Sequence, residues 1–187
     1  MNPQSDPQRA ITEWLCQPAG ALVEQRRSPS GWISRLRIGG GAEADRSTIR
    51  FLKALRSGQS ELHAVAFRTI EGHKRACIVG VKKDSGREWG IVGMAGGSGS
   101  DPPRDRPWVN FGAWGWPNHG FSGGGRLTGA RHEETDLVRL KFRNGVELRD
   151  TVGDGVVLFM TEVAAEVPIS VEILNASGQL LNRYSWP

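Results

Sequence analysis

The sequence is short of cysteine, of tyrosine and of long apolar runs, and each shortage removes a class of protein. Its two cysteines, Cys16 and Cys77, are too few and too differently placed for a disulfide framework, which fits a reducing compartment. No apolar run approaches the length that crosses a bilayer, and the opening MNPQSDPQRAITEW lacks the basic-then-apolar order of an export signal. A cytoplasmic protein without contact to a membrane is therefore expected. The four histidines, His63, His73, His119 and His132, show neither H-x-x-x-H nor cysteine spacing of the kind that holds zinc, so no metal is expected. Neither glycine triplet, Gly39–Gly41 or Gly123–Gly125, is followed by the G-K-[ST] of a phosphate-cradling loop, and no cofactor is implied.

What is present is charge, unevenly spread. Residues 1–100 hold 15 Lys and Arg against 9 Asp and Glu, a net +6, whereas residues 101–187 hold 9 against 11, a net −2. A basic first half fits an acidic partner, nucleic acid included, although an excess this small is more often a solvated face.

Along the chain the pattern predicts two helices and then strands. Asp6-Pro7 is a capping side chain followed by proline at the first helical position, Ile11, Trp14 and Leu15 fall on one face, and Pro18 stops the helix. A second helix is expected from Asp45 or Ser47 to Gly58, with Ile49, Leu52 and Leu55 inward and Arg46, Arg50 and Lys53 on another stripe. Between the two, GWISRLRIGGG alternates poorly and makes at best a short strand. From Glu61 the period changes to two: LHAVAFRTI, RACIVGVKK and EWGIVGMAG, divided by EGHK and DSGR, predict an antiparallel meander. The Gly/Ser/Pro-rich residues 96–107 predict a loop or linker. The organisation expected is a helical segment, 1–60, followed by a β-unit, 61–187.

The C-terminal part carries the clearest signals. In LVRLKFRNGVELRDTV, Val138, Leu140 and Phe142 alternate with Arg139, Lys141 and Arg143. A two-residue turn at Asn144-Gly145 would mix the two faces. A three-residue loop, Arg143 to Gly145 with Gly145 left-handed, instead pairs Phe142 with Val146, Leu140 with Leu148 and Lys141 with Glu147. DGVVLFMTE is apolar almost throughout, so both of its faces should be covered, and the last hairpin should turn at Asn175 to Gly178. At least seven short strands without βαβ alternation make an antiparallel β-sandwich the expected architecture.

The run VRLKFRNGVELRDTVGDGVVLFMTEVAAEVPISVEILNASGQLLNRYSW resembles the C-terminal part of immunoglobulin-like β-sandwich domains of uncharacterised bacterial proteins. The likeness lies in a charged strand, an N-G or D-G turn, an apolar strand and an A-S-G hairpin, and it covers the last third of the chain. It implies a non-catalytic sandwich used for contact and carries over no functional residue.

Candidate sites are few. WVNFGAWGWPNHGFSGGG contains G-F-S-G-G with His119 close by, the outline of a hydrolase nucleophile at Ser122. A nucleophile elbow needs a strand running in and a helix running out. Here proline precedes, glycines follow, and only His132 comes after, so a glycine-rich turn is the better account. Trp108, Trp114, Trp116 and Phe121 could form a face able to stack on a ring, or could plug one end of a sandwich. Arg46, Arg50 and Lys53 could touch phosphates. Cys77, between Ala76 and Ile78, reads as a core cysteine. Because nothing assembles into a catalytic set, the function expected is a non-enzymatic module that binds another protein. Nucleic-acid binding through the basic helix and exposed tryptophans comes next, and a small serine hydrolase third.

Overall fold

The computed structural model describes residues 6–18, 23–27, 33–37, 41–84, 88–95, 104–115, 120–162 and 168–186; at 23–27, 33–37, 84 and 113–115 it describes the backbone. The chain is mainly β, and every strand pairing within these residues is antiparallel.

The first helix forms where the sequence places it. α1 spans Pro7–Leu15, and Asp6 caps it by accepting from the Gln8 N–H at 2.9 Å. Ile11 and Leu15 are fully buried and pack on Val65, Phe67, Cys77, Val79 and Val81.

The second predicted helix does not exist. After a single 3-10 turn at Arg46–Thr48, residues Arg50–Ser57 form strand β3; two strands, β1 (Val23–Arg27) and β2 (Ile33–Arg37), pair as a hairpin before it. The reason lies in a β-bulge: the β3 register slips between Phe51 and Lys53, so Leu52 is an extra residue. The bulge replaces the two-residue period by a spacing of three between Leu52 and Leu55, which imitates one face of a helix, and it leaves Phe51 in a different core from both. Gly58, read as a helix stop, sits at φ 54° in the tight turn that joins β3 to β4. The boundary expected at residue 60 therefore falls inside a hairpin.

Strands β4 (Ser60–Arg68), β5 (Lys74–Asp84) and β6 (Glu88–Ala95) complete the expected meander, in the order β3-β4-β5-β6. We call this sheet I. Sheet II has the order β11-β8-β7, from β7 (Trp108–Gly115), β8 (Phe121–Thr128) and β11 (Val156–Thr161). Sheet III has the order β10-β9-β12-β13, from β9 (Thr135–Phe142), β10 (Glu147–Thr151), β12 (Pro168–Asn175) and β13 (Leu180–Ser185).

Three apolar cores define the layering. α1 covers one side of sheet I. On the other side Leu62, Ala64 and Ile78 of sheet I meet Val156 and Leu158 of sheet II. The opposite side of sheet II, through Val109, Phe121, Leu127, Val157 and Phe159, shares a core with Val138, Leu140, Val171 and Ile173 of sheet III. Sheet II is thus the inner layer, which is why GVVLFMT is apolar on both faces: Val156 and Leu158 turn one way, Val157 and Phe159 the other. The β9–β10 hairpin has the expected register, with Lys141 opposite Glu147 and Leu140 opposite Leu148, and Gly145 at φ 84°. The last hairpin turns at Asn175–Gly178 as expected, its Asn175 Oδ1 accepting from the N–H groups of Ser177 and Gln179.

Candidate anion-binding cleft

The G-F-S-G-G stretch is the strand β8 itself. Ser122 lies in the ladder, opposite Trp114 on one side and Met160 on the other, and not on a strand-to-helix turn. From Ser122 to the strand end at Thr128 is about 20 Å at the usual rise per residue, and His132, whose Nδ1 lies 2.8 Å from the Gly129 carbonyl oxygen, is beyond that end. His119 is outside the described residues. Cys77 is buried, and desolvation pushes its thiol up to about 12, the behaviour of a core cysteine rather than a nucleophile. Among the described residues no group of three or more His, Cys, Asp or Glu could hold a metal ion, and no helix is long and apolar enough to cross a membrane.

The aromatic candidates separate. Trp108 stacks on Tyr184 with centroids 3.6 Å apart, while the Tyr184 hydroxyl lies within hydrogen-bond reach of the Val109 backbone N and O, joining the edges of sheets II and III. Burial raises the Tyr184 hydroxyl above the usual phenol range, outweighing the hydrogen bond to Val109. Phe121 is buried edge-on to Phe142 and Trp186. The Trp114 side chain and Trp116 lie outside the described residues.

The basic candidates separate as well. Lys53 is turned inward: its ammonium reaches Asp150 at 2.6 Å and also donates to the Thr151 carbonyl, tying sheet I to sheet III. Arg46 is exposed on the 3-10 turn, where the neighbouring Asp45 carboxylate is engaged by Ser47. The hydrogen bonds from the Ser47 side chain and backbone hold Asp45 below its ordinary range.

Arg50 belongs to a different constellation. It faces an open cleft of about 330 Å3 together with Arg68, Lys74 and Arg126; the backbone of Arg75 runs along it, but as the partner of Phe67 that residue alternates to the α1 face, and among the described residues no acidic one lines the cleft. Strand periodicity explains its position. Leu62, Ala64 and Ile78 close sheet I against sheet II; further along the same face come Ala66, opposite both Arg50 and Ala76, and then Arg68, opposite Lys74. Alanines there are too small to reach sheet II, and the gap between the layers opens. Arg126 enters it from β8, two residues beyond Gly124, whose face meets Ile78.

The electrostatics of the cleft differ from those of sheet III and of the brace at Lys53. Arg9, Lys53, Arg56, Arg131, Arg139, Lys141, Arg149 and Arg183 all have carboxylate partners. Among the described residues none of Arg50, Arg68, Lys74 and Arg126 forms an ion pair. Arg68 and Lys74 are direct cross-strand partners, an arrangement of like charges that costs a sheet a few tenths of a kcal/mol up to about 1 kcal/mol. An external anion lying among them would relieve it.

Sheet III shows the paired alternative. Glu172, with its side chain 3% exposed, receives Lys141 at 2.8 Å, Arg183 at 2.6 Å and Arg139 at 3.1 Å. Burial alone would raise this carboxyl, but the hydrogen bond from Lys141 and the charges of Arg183 and Lys141 outweigh it and hold it below the usual range. A group depressed in the folded state contributes stability above its unfolded pKa, about 4.3 for Glu, and that contribution disappears as pH falls through and below this value. Thermal unfolding measured from pH 7 to pH 3 should therefore show a steeper acid loss in the native sequence than in Glu172→Gln. Parallel curves would deny Glu172 this role.

The residues the sequence reading missed are Arg68, Lys74 and Arg126. A faint signal exists for the first two, since RTIEGHKR sets basic residues on both sides of one turn. Arg126 has none, because only the packing of sheet II on sheet I brings it there.

Fold and cleft define a class: a mainly β, antiparallel protein with a basic cleft between two of its sheets. Compared with protein-family models, with curated proteins and with solved structures, the chain matches none.

Proposed function

We propose that this protein is a non-catalytic cytoplasmic interaction module that holds an anionic partner in the basic cleft between sheets I and II. The observation that carries this reading is the presence, among the described residues, of four cations without ion-pair partners around one opening, Arg50, Arg68, Lys74 and Arg126, while Lys53, Arg139, Lys141, Arg149 and Arg183 are each held by a carboxylate. The immunoglobulin-like reading of the C-terminal part belongs to the same proposal. Lettered A to G, strands β7–β13 give the sheet orders E-B-A and D-C-F-G, which differ from the constant-type arrangement only in that the fourth strand pairs with the third instead of the fifth. In this reading residues 108–186 are the sandwich, and α1 with sheet I is a cover laid on its A-B-E face, the two together shaping the cleft.

The test is capture of partners from native lysate by the tagged protein at low and moderate salt, beside the charge-reversed variant Arg68→Glu/Arg126→Glu. Retention by the native chain and loss in the variant is the expected result. Identical captures by both, or none by either, would overturn the proposal.

A further inference from the structure

We infer that the anionic partner is an extended acidic segment of another protein, added as a strand to the edge of β5 at Lys74–Cys77 with alternate carboxylates turned into the cleft. The inference rests on the cleft being a binding site, and it names the chemistry and the backbone form of what the cleft holds.

The ladder of sheet I supplies the edge. β6 pairs with β5 only as far as Ala95 opposite Ile78, while β4 follows β5 to Lys74, so among the described residues no strand lies beside Lys74–Cys77 on the β6 side. Antiparallel neighbours alternate between pairs that exchange hydrogen bonds and pairs that do not. The Thr69 N–H donates to the His73 carbonyl, which makes theirs a bonded pair and fixes the count. Arg75 and Cys77 then bond to β4, and the N–H and C=O groups of Lys74 and Ala76 point away from it. Ile78, next in that series, is where the pairing with β6 begins. Two donors and two acceptors therefore stand in a row, the template that an incoming strand pairs with.

The side chains of the same residues set the sign of the partner. Lys74 and Ala76 face the cleft, Arg68 lies opposite Lys74, and Arg126 enters from β8. A strand laid antiparallel on β5 places the residues that bond with Lys74 and Ala76 on the cleft face as well, two positions apart. Glu or Asp at those positions meets Lys74 and Arg126 first, and Arg68 one strand further on. A lysine on an edge is also a common guard against unwanted pairing. A guard, however, does not call for a second cation directly opposite it and a third from the facing sheet. β3 is the other edge beside the cleft, but of its residues only Arg50 lines the opening, while Lys53 turns toward Asp150 and Leu55 toward sheet II. Nucleic acid offers phosphates to the same cations but has no amide groups for the edge, so the unpaired backbone row is what favours a peptide.

The test is fluorescence anisotropy of the full chain with a short labelled peptide in which Glu and Thr alternate, beside labelled single-stranded and duplex DNA. The peptide should bind more tightly than either DNA. In an antiparallel addition the glutamate nitrogens face β5, so methylating them should abolish binding, whereas methylating the threonine nitrogens, which face away, should leave it. Lys74→Gln/Arg126→Gln should weaken the unmethylated peptide by about tenfold. Arg9→Gln, on α1, should leave it unchanged, with the same thermal unfolding for all three proteins. Equal effects of the two methylated sets, a larger loss from the threonine set, or peptide binding untouched by the double variant would overturn the inference. Tighter binding of either DNA, lost in the double variant, would overturn the peptide assignment and leave the cleft as an anion site. A dimer of the chain alone, seen by sedimentation and dissociated by the peptide, would give the edge to a second copy and overturn the inference as well. Binding of neither peptide nor DNA would overturn both readings.

Discussion

Gly124→Ala should lower the thermal unfolding midpoint by roughly 6–12 °C, corresponding to about 3 kcal/mol at the usual conversion for a chain of this size. Gly124 sits in the inner sheet with both faces covered. A Cβ there would lie 2.3 Å from the Val157 carbonyl oxygen and 2.8 Å from both Ile78 Cδ1 and Leu158 Cδ2. The two methyls could shift, but the carbonyl belongs to the neighbouring β11 and cannot move without loosening the ladder. Gly112 on β7 makes the same kind of approach to sheet I, its Cβ position 2.6 Å from Ala95 Cβ. Ser122→Ala supplies the contrast: it removes one hydroxyl and should move the midpoint by no more than a degree or two. The comparison also bears on the G-F-S-G-G stretch. If the glycines serve close packing of sheets, Gly124 is the sensitive position; if the stretch serves hydrolysis, Ser122→Ala would abolish a measurable turnover. Equal tolerance of both substitutions would refute the packing account.

The second large effect is expected at Asp150. Its carboxylate accepts from Lys53 Nζ at 2.6 Å and from the Leu158 N–H at 2.7 Å, so one side chain of β10 holds β3 in sheet I and β11 in sheet II. Both partners of the ion pair are largely buried, at 17% and 14% side-chain exposure. Asp150→Ala leaves an unpaired ammonium and an unsatisfied backbone donor inside the molecule, a loss of about 3–5 kcal/mol. Asp150→Asn keeps an acceptor for Leu158 N–H and should lose less. Lys53→Met combined with Asp150→Ala should recover part of the single-variant loss, because no buried charge is then left alone. Urea unfolding of the native chain, Lys53→Met, Asp150→Ala, Asp150→Asn and the double variant measures these differences; simple additivity of Lys53→Met and Asp150→Ala would show that the pair does not couple the layers. Lys53 is therefore a brace between sheets rather than a contact to a partner.

How much of this was legible in the sequence depends on the range of the forces involved. α1 was, because its cap, its proline and its apolar face all lie within the helix. So was the β9–β10 register, since Asn144-Gly145 and the alternation of Val138, Leu140 and Phe142 admit only one loop that keeps the faces separate. The two covered faces of β11 were announced by its unbroken apolar run. The second helix failed because a bulge at Leu52 counterfeits helical spacing, and a bulge is selected by what packs on either side of a strand. Trp108 and Phe121 were likewise not placed by the sequence, since Trp108 stacks on Tyr184 and Phe121 enters a core, contacts made between distant parts of the chain.

By itself, then, the sequence determined the first helix, the β4–β6 meander and the β9–β10 and β12–β13 hairpins, products of local dihedral preference and apolar period. It also determined that the first half is basic. Only the tertiary structure decided which basic residues matter together. Arg68 and Lys74 meet across a hairpin, Arg50 joins through the edge strand, and Arg126 arrives from another sheet, while Lys53, three residues from Arg50, is drawn inward by Asp150. Charge is a property of residues, but an unpaired cluster of charge is a property of layers. Small alanines hold the cleft open where larger side chains close the sheets together.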